Sequence, residues 1–354
     1  LVRGGRVVWV DGQRGAPPVD LYDVQLILRN GRWRHQMRLD ATPQAGWGER
    51  FTLIGQFRQP VLSRHAGRWR DWEGALFASL PDIDVSRLRE YVDLKTDWGV
   101  DLRAGAGALR AWVDLREGVV TAATVDLALN AVAATFGPDL APLDLRLVTG
   151  RLGWRNQPGV MDFSAHDLHV VDADGLAWDG GNLALNYRDG QGGQPAGGEL
   201  RGERFELALL ARIASRLPLA PALRRQLDGR TLRGQVERVA ARWSGALEAP
   251  RDWRVQTRLS ALALDARAAP PDARGEPAAG VPGIEGATLE LDAGPTGGRA
   301  TLAIRDGALE FPGVFEEPRI ALAELDTQAR WRVQGERIEV DVDELKLRNA
   351  DATA

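Results

Sequence analysis

Apolar and polar residues alternate with a period of two along most of this chain, as in Tyr22, Val24, Leu26 and Leu28 set among Asp23, Gln25 and Arg29. Successive side chains of a strand point to opposite faces, so this alternation writes one apolar and one polar face. Repeated between turns at Gly, Pro and Asp, it predicts a mainly β fold: a long, twisted antiparallel sheet with one greasy side. Strands are expected at Arg6 to Val10, Leu21 to Asn30, Arg34 to Ala41 and Phe51 to Phe57. Asn30-Gly31 is a strong hairpin signal between two of them. Further strands are read at 109–115, 119–130, 143–149, 151–155, 161–171 and 183–187, then at 231–243, 253–264, 287–293, 299–304, 320–325, 328–333, 337–342 and 345–347.

The period changes in two places. Val85, Leu88, Tyr91 and Val92 fall at helical spacing behind Asp84, which predicts one helix over 84–95. Leu207, Leu210, Ala211, Ala214 and Leu217 make a second helical stripe, ended by Pro218, and Pro221 to Gly229 reads as a third helix. Helices are thus expected near 84–95 and 205–228. The segment Ala266 to Gly283 is rich in proline and charge and reads as a flexible loop. This organisation gives a first block of strands over 1–265, the loop 266–283 and continuing strands over 284–354. Trp154, Trp243 and Trp331 are almost evenly spaced, a hint of a degenerate repeat.

Composition narrows the function more than it names it. With 354 residues and 44% hydrophobic content, the chain is long and apolar enough for a large buried surface. Its 45 basic and 49 acidic residues leave a net charge of -4, which gives no electrostatic footprint for nucleic acid. Only Lys95 and Lys346 are lysines. There are no cysteines, so disulfides and thiolate metal sites are excluded, while the redox compartment stays open. No stretch is apolar for the roughly 18 residues that span a bilayer. The chain opens on Leu1 and stops after Asn349 to Ala354 without a cap, which reads as a fragment truncated at both ends.

Chemistry-bearing motifs are sparse. Gly-x-Ser-x-Gly does not occur, neither lysine follows a glycine as a phosphate loop requires, and Gly105-Ala106-Gly107 has Arg110 where a dinucleotide fingerprint needs glycine. That glycine pair is expected to be a turn into the strand ending at Trp112. His166 and His169 are three apart, which on a regular strand sets them on opposite faces and argues against a shared metal. His35 is expected to pack or to bond the backbone. Glu316 with Glu317, and Asp341 with Asp343 and Glu344, read as solvated outer positions, because Val340 and Val342 face the other way. No cofactor, metal or catalytic residue is assigned. The remaining question is whether the apolar face closes on a second layer or stays open as a groove. Three helices for roughly eighteen strands favour the groove.

Several segments, taken in order, resemble the AsmA-like family of Gram-negative envelope proteins over essentially the whole chain. They are Leu1 to Asp11, Asn30-Gly31-x-x-x-His35, Trp72-Glu73-Gly74-x-Leu76-Phe77, Gly105-x-Gly107-x-Leu109-x-x-Trp112 and Leu207 to Leu227. Pro282-Gly283-x-x-Gly286, Gly297-Gly298, Phe311-Pro312-x-Val314-Phe315-x-x-Pro318, Trp331 and Asn349 to Ala352 complete the series. The resemblance implies a repeating β-groove that spans the periplasm, anchored in the inner membrane by a helix outside this fragment. It implies phospholipids as ligands, the inner and outer membranes as partners of the full-length protein, and passive transfer. With the alternation, it makes Val24, Leu26, Leu28, Val125, Leu127, Leu129, Leu145, Leu147, Leu183, Leu185, Trp331, Val333, Val340 and Val342 the candidate lining of the groove. The alternatives are an envelope scaffold whose apolar side is filled by protein, and a hydrolase on a β frame with Trp69 and Trp72 as its aromatic platform.

Overall fold

The computed structural model describes residues 1–12, 15–59, 71–91, 99–190, 195–218, 232–246, 250–270, 278–335 and 337–350. Seventeen strands follow one another: β1 (Val2–Trp9), β2 (Val19–Asn30), β3 (Arg34–Pro43), β4 (Phe51–Arg58), β5 (Glu73–Asp84), β6 (Asp101–Arg116), β7 (Val119–Thr135), β8 (Leu143–Gln157) and β9 (Val160–Asp172). Then come β10 (Ala177–Arg188), β11 (Gly197–Glu206), β12 (Leu232–Ser244), β13 (Asp252–Leu264), β14 (Gly283–Gly294), β15 (Gly297–Glu310), β16 (Arg319–Gln334) and β17 (Arg337–Arg348), and α1 (Leu207–Ser215), the one α-helix among the described residues, follows β11. They form one open antiparallel sheet. Internal contacts divide the chain into two units, Leu1–Asn182 with Arg216–Pro218, and Leu183–Ser215 with Leu219–Ala354.

In the first unit each strand pairs with the next, from β1 with β2 through β8 with β9. In the second the same holds from β11 with β12 through β16 with β17. The segment 266–283 joins β13 to β14, which are paired with each other. Consecutive antiparallel strands need no crossover, which is why an alternating sequence can fold as a meander.

Bulges recur within both units. Asp23, Ala131 and Asp167 in the first, and Arg204, Ala261 and Asp306 in the second, have positive φ inside strands. Ladder registers slip beside most of them, between Tyr22 and Gln25, Thr149 and Arg151, and Leu259 and Leu262. A bulged strand bends and twists more tightly, so the apolar face curls at that level. Burial follows the bend. Val24 beside Asp23 is 1% exposed, and in the second unit Leu262, Ala287, Ile304, Leu322 and Leu325 form one packed cluster at the bulge level.

Several expected boundaries are corrected. β5 and β11 are strands that alternation did not reveal: Phe77 puts an aromatic on the polar face of β5, and Gly198 and Gly202 stand for apolar residues in β11. The paired segments 143–149 and 151–155 are one strand, running through Gly150 at φ 148; so are 320–325 with 328–333, and 337–342 with 345–347. Gly105 and Gly107 are strand residues of β6, not a turn. A Cβ on Gly107 would lie 2.2 Å from the Ala128 carbonyl oxygen, so the close approach of β7 demands glycine there. The helix expected over 84–95 is a 3-10 turn at Val85–Glu90, capped where Asp84 accepts a hydrogen bond from the Ser86 amide at 3.0 Å; Val92 to Lys95 lie outside the described residues. Leu209, not a member of the expected stripe, is the fully buried residue of α1. The helix read over Pro221 to Gly229 lies outside the described residues.

Candidate functional site

Cross-strand partners in an antiparallel ladder share a face, so the registers spell out each surface row by row. In the first unit one row reads Val2, Leu26, Leu39, Leu53, Ala78, Ala111, Val125, Leu152 and Ala165 across β1 to β9, without a polar member. The row one residue along, on the other face, reads Asp40, Thr52, Ser79, Arg110, Asp126, Arg151 and His166 from β3 to β9. The separation is complete at this level. Leu26 to Leu152 of the apolar row are half-buried, neither sealed in a core nor free in water.

The second unit repeats the arrangement. Leu200, Ala241, Val255, Ala293, Gly298, Trp331 and Val340 share one face across β11 to β17, and Arg201, Ala240, Gln256, Asp292, Arg299, Arg330 and Asp341 share the other. Alanine holds places in both apolar rows and glycine in that of the second unit. At Gly298 the space a side chain would take is filled by the Trp331 ring, 2.5 Å from where a Cβ would stand.

Most candidate lining residues fall on these faces. Leu26 and Val125 belong to the row of the first unit, Leu28 pairs with Met37 in the next, and Leu127 and Leu129 pair with Leu109 and Gly107. Trp331, Val340 and Val342 share the apolar face of the second unit, and Val333 pairs with Ile338 two residues further. Leu183 and Leu185 are half-buried around the exposed Ala184. Val24 is sealed at the bend. Leu147 is set apart: it pairs with Asn130, one step from the Leu129–Val148 pair, and therefore lies on the opposite face from Leu129. Leu145 lies where β8 slips against β9. Sequence reasoning missed Leu39, Leu53, Leu109 and Leu152, whose places only the register reveals.

The polar face is a lattice of arginine–carboxylate pairs. Arg151 donates to Asp126 at 2.5 and 2.9 Å, and Arg305 donates to Asp326 at 2.9 and 2.7 Å. Arg254 donates to both oxygens of Asp292 at 2.8 and 2.7 Å and Gln256 adds a third bond at 3.1 Å, which together hold the Asp292 carboxyl down to about 2. Arg258 is clasped by Glu237 and Glu290, and Arg330 by Asp343. Exposed pairs of this kind contribute little stability singly, but they keep the outer face wet and neutral. Asp341 is paired with Arg332 at 3.5 Å, and Glu344 occupies a bulge at φ 52, so the acidic series forms no convergent pair.

His35 donates through Nδ1 to Asn30 Oδ1 at 3.1 Å and stacks on Trp72 with ring centroids 4.1 Å apart. The bulge at Asp167 corrects the reading of His166 and His169: their partners Arg151 and Thr149 are two apart, so both histidines lie on the polar face. Among the described residues no group of three or more His, Asp or Glu is placed to hold a metal ion. Nor is any helix among them long and apolar enough to cross a membrane.

No curated protein and no solved structure matches the chain. The family model described as YhdP protein matches residues 2–354, and the chain therefore belongs to the YhdP family.

Proposed function

We propose that this chain is a lipid-carrying segment of a bridge that takes phospholipids across the periplasm between the inner and outer membranes. The observation that carries the reading is the unbroken, half-exposed apolar row in each unit, backed by a neutral lattice of ion pairs. Each methylene removed from water on such a surface contributes about 0.8 kcal/mol, so acyl chains gain from lying along it while head groups remain hydrated. Membership of the YhdP family and the long open sheet agree with this role. The full-length protein is anchored in the inner membrane by a helix outside this chain, and no enzymatic step is assigned. Direction comes from a gradient or from partner proteins at the membranes.

The packed cluster around Ile304 favours a second reading, an envelope scaffold that closes its apolar side with protein. Native mass spectrometry of the purified chain separates the two. Copurified phospholipid, lost when Leu127 and Leu152 are both replaced by Asp in a protein that still folds, supports transport; a lipid-free chain under the mildest conditions supports the scaffold.

A further inference from the structure

The two ends of the strands in the first unit differ in charge. Connections that follow odd-numbered strands carry Asp11, Glu49, Asp139 and Asp174. Of the arginines on that side, Arg87 lies 3.6 Å from Asp84, Arg103 lies 3.2 Å from Asp101, and Arg50 donates to the Asp23 carbonyl oxygen at 3.0 Å. At the opposite rim, where β2 turns into β3 and β4 ends, no carboxylate occurs in the sequence from Val24 to Leu39 or from Arg50 to Arg70.

Arg34 and Arg58 are direct cross-strand partners there, and Arg29 lies one step along the same face, opposite Gln36. All three are exposed. Glu73 is the direct cross-strand partner of Arg58 on β5, but its carboxylate is drawn to Arg116 on the other side, at 3.8 Å. Among the described residues the guanidinium groups of Arg29, Arg34 and Arg58 have no hydrogen-bond or ion-pair partner. Like charges directly opposite destabilise a sheet, and one carboxylate, Glu73, serves a row that holds Arg34, Arg58 and Arg116, so a further anion lowers the cost of the Arg34–Arg58 pair.

On the apolar face of the same rim, His35 and Phe57 are cross-strand partners, and Trp72 stacks on His35 and lies 6.1 Å from Phe57. Trp72 Nε1 and His35 Nε2 are buried without a hydrogen-bond partner. Rings with an apolar body and a polar edge settle where hydrocarbon meets water. A second aromatic group, Trp9, Trp47 and Tyr91, sits at the acidic rim, so charge rather than aromaticity distinguishes the two.

We propose that the cationic rim docks the phosphate head group of an anionic phospholipid, with Arg34, Arg58 and Arg29 on the phosphate and Phe57, His35 and Trp72 against the glycerol end of its tails. The inference rests on the apolar face being a lipid lane and adds where the head group leans. Guanidinium forks match phosphate oxygens, and the acidic rim repels them. In the second unit the corresponding hairpins also join arginine to tryptophan, around a concavity of about 780 Å³ lined by Arg242, Arg254, Trp243 and Trp253, but carboxylates already occupy those arginines.

The test titrates the folded chain with dioctanoyl-phosphatidylglycerol, with uncharged dioctanoylglycerol and with inorganic phosphate, reading binding by calorimetry. The wild type is expected to bind the phosphatidylglycerol about ten-fold more tightly than dioctanoylglycerol, and Arg34→Gln/Arg58→Gln to lose that margin while binding dioctanoylglycerol as before. The double variant should melt no lower than wild type, because a repulsion has been removed, and Arg319→Gln in the second unit, where Arg319 is paired with Glu285, should leave the margin intact. Equal affinity for the two amphiphiles, or an unchanged margin in the double variant, overturns the head-group site while the lane stands. Phosphate binding as tight as phosphatidylglycerol overturns the lipid assignment in favour of a free-anion site. Failure of dioctanoylglycerol to bind at all overturns the lane itself.

Discussion

Ala261 occupies a strand with φ 48, a conformation that costs an L-residue roughly 1–2 kcal/mol and that glycine adopts freely. Its neighbour Leu262 belongs to the packed cluster, so the strain is held in place by burial. Ala261→Val should lower stability by about 1–2 kcal/mol, whereas Ala261→Gly should leave the melting temperature equal or higher. Denaturant unfolding of the two variants checks the pair. Charge behaves as locally as backbone does. The Arg254 fork holds the Asp292 carboxyl down to about 2, so its contribution is fully present above the ordinary carboxylate value of 3.8 and fades as the pH falls toward 2. Melting curves between pH 5 and pH 2 should therefore flatten in Asp292→Asn, which is less stable than wild type at pH 5 and converges with it at the acid end. These residues were not legible in advance. Nothing in the composition of Asp23, Ala131 or Ala261 marks a bulge, because the signal lies in the register of a neighbouring strand.

At the scale of elements, alternation was a good guide wherever both faces kept to type, as in β7 and β16. It failed where glycine stood on the apolar face. β11 reads as polar until Gly198 and Gly202 are seen beneath the Trp243 and Phe205 rings, where a Cβ would lie 2.3 Å from each. Gly298 under Trp331 is the same device in β15. Gly298→Ala must push the ring away and also meets the Asp292 carbonyl oxygen at 2.5 Å. Such overpacking should cost about 1–3 kcal/mol and change the near-ultraviolet circular dichroism of tryptophan. An unchanged spectrum and melting point would show that the ring does not depend on the glycine. The 3-10 turn at Val85–Glu90 was half legible: the helical spacing and the Asp84 cap were real, but Val85, 2% exposed, is a packing residue at the bend.

At the scale of the molecule, the family and the one-sided sheet were readable because both are properties of many residues at once. Which apolar residues share a face was less so, since a single slip of register moves a side chain to the other side. Leu127 and Leu147 look alike in sequence, and the ladders place Leu127 with Leu109 on the apolar face and Leu147 with Asn130 on the other. The depth of the face was not legible at all. Bulges close it at one level and leave it half-exposed elsewhere, so a sheet of one pattern is part core and part open surface. The proposed transport requires that open part to meet lipid. The direct measurement is photocrosslinking in cells with a probe amino acid at Leu127, at Leu185, and at their neighbours Asp126 and Ala184. Phospholipid captured at Leu127 and Leu185 but not at Asp126 and Ala184 is the predicted result; equal capture at all four positions, or protein alone captured at the leucines, would contradict it.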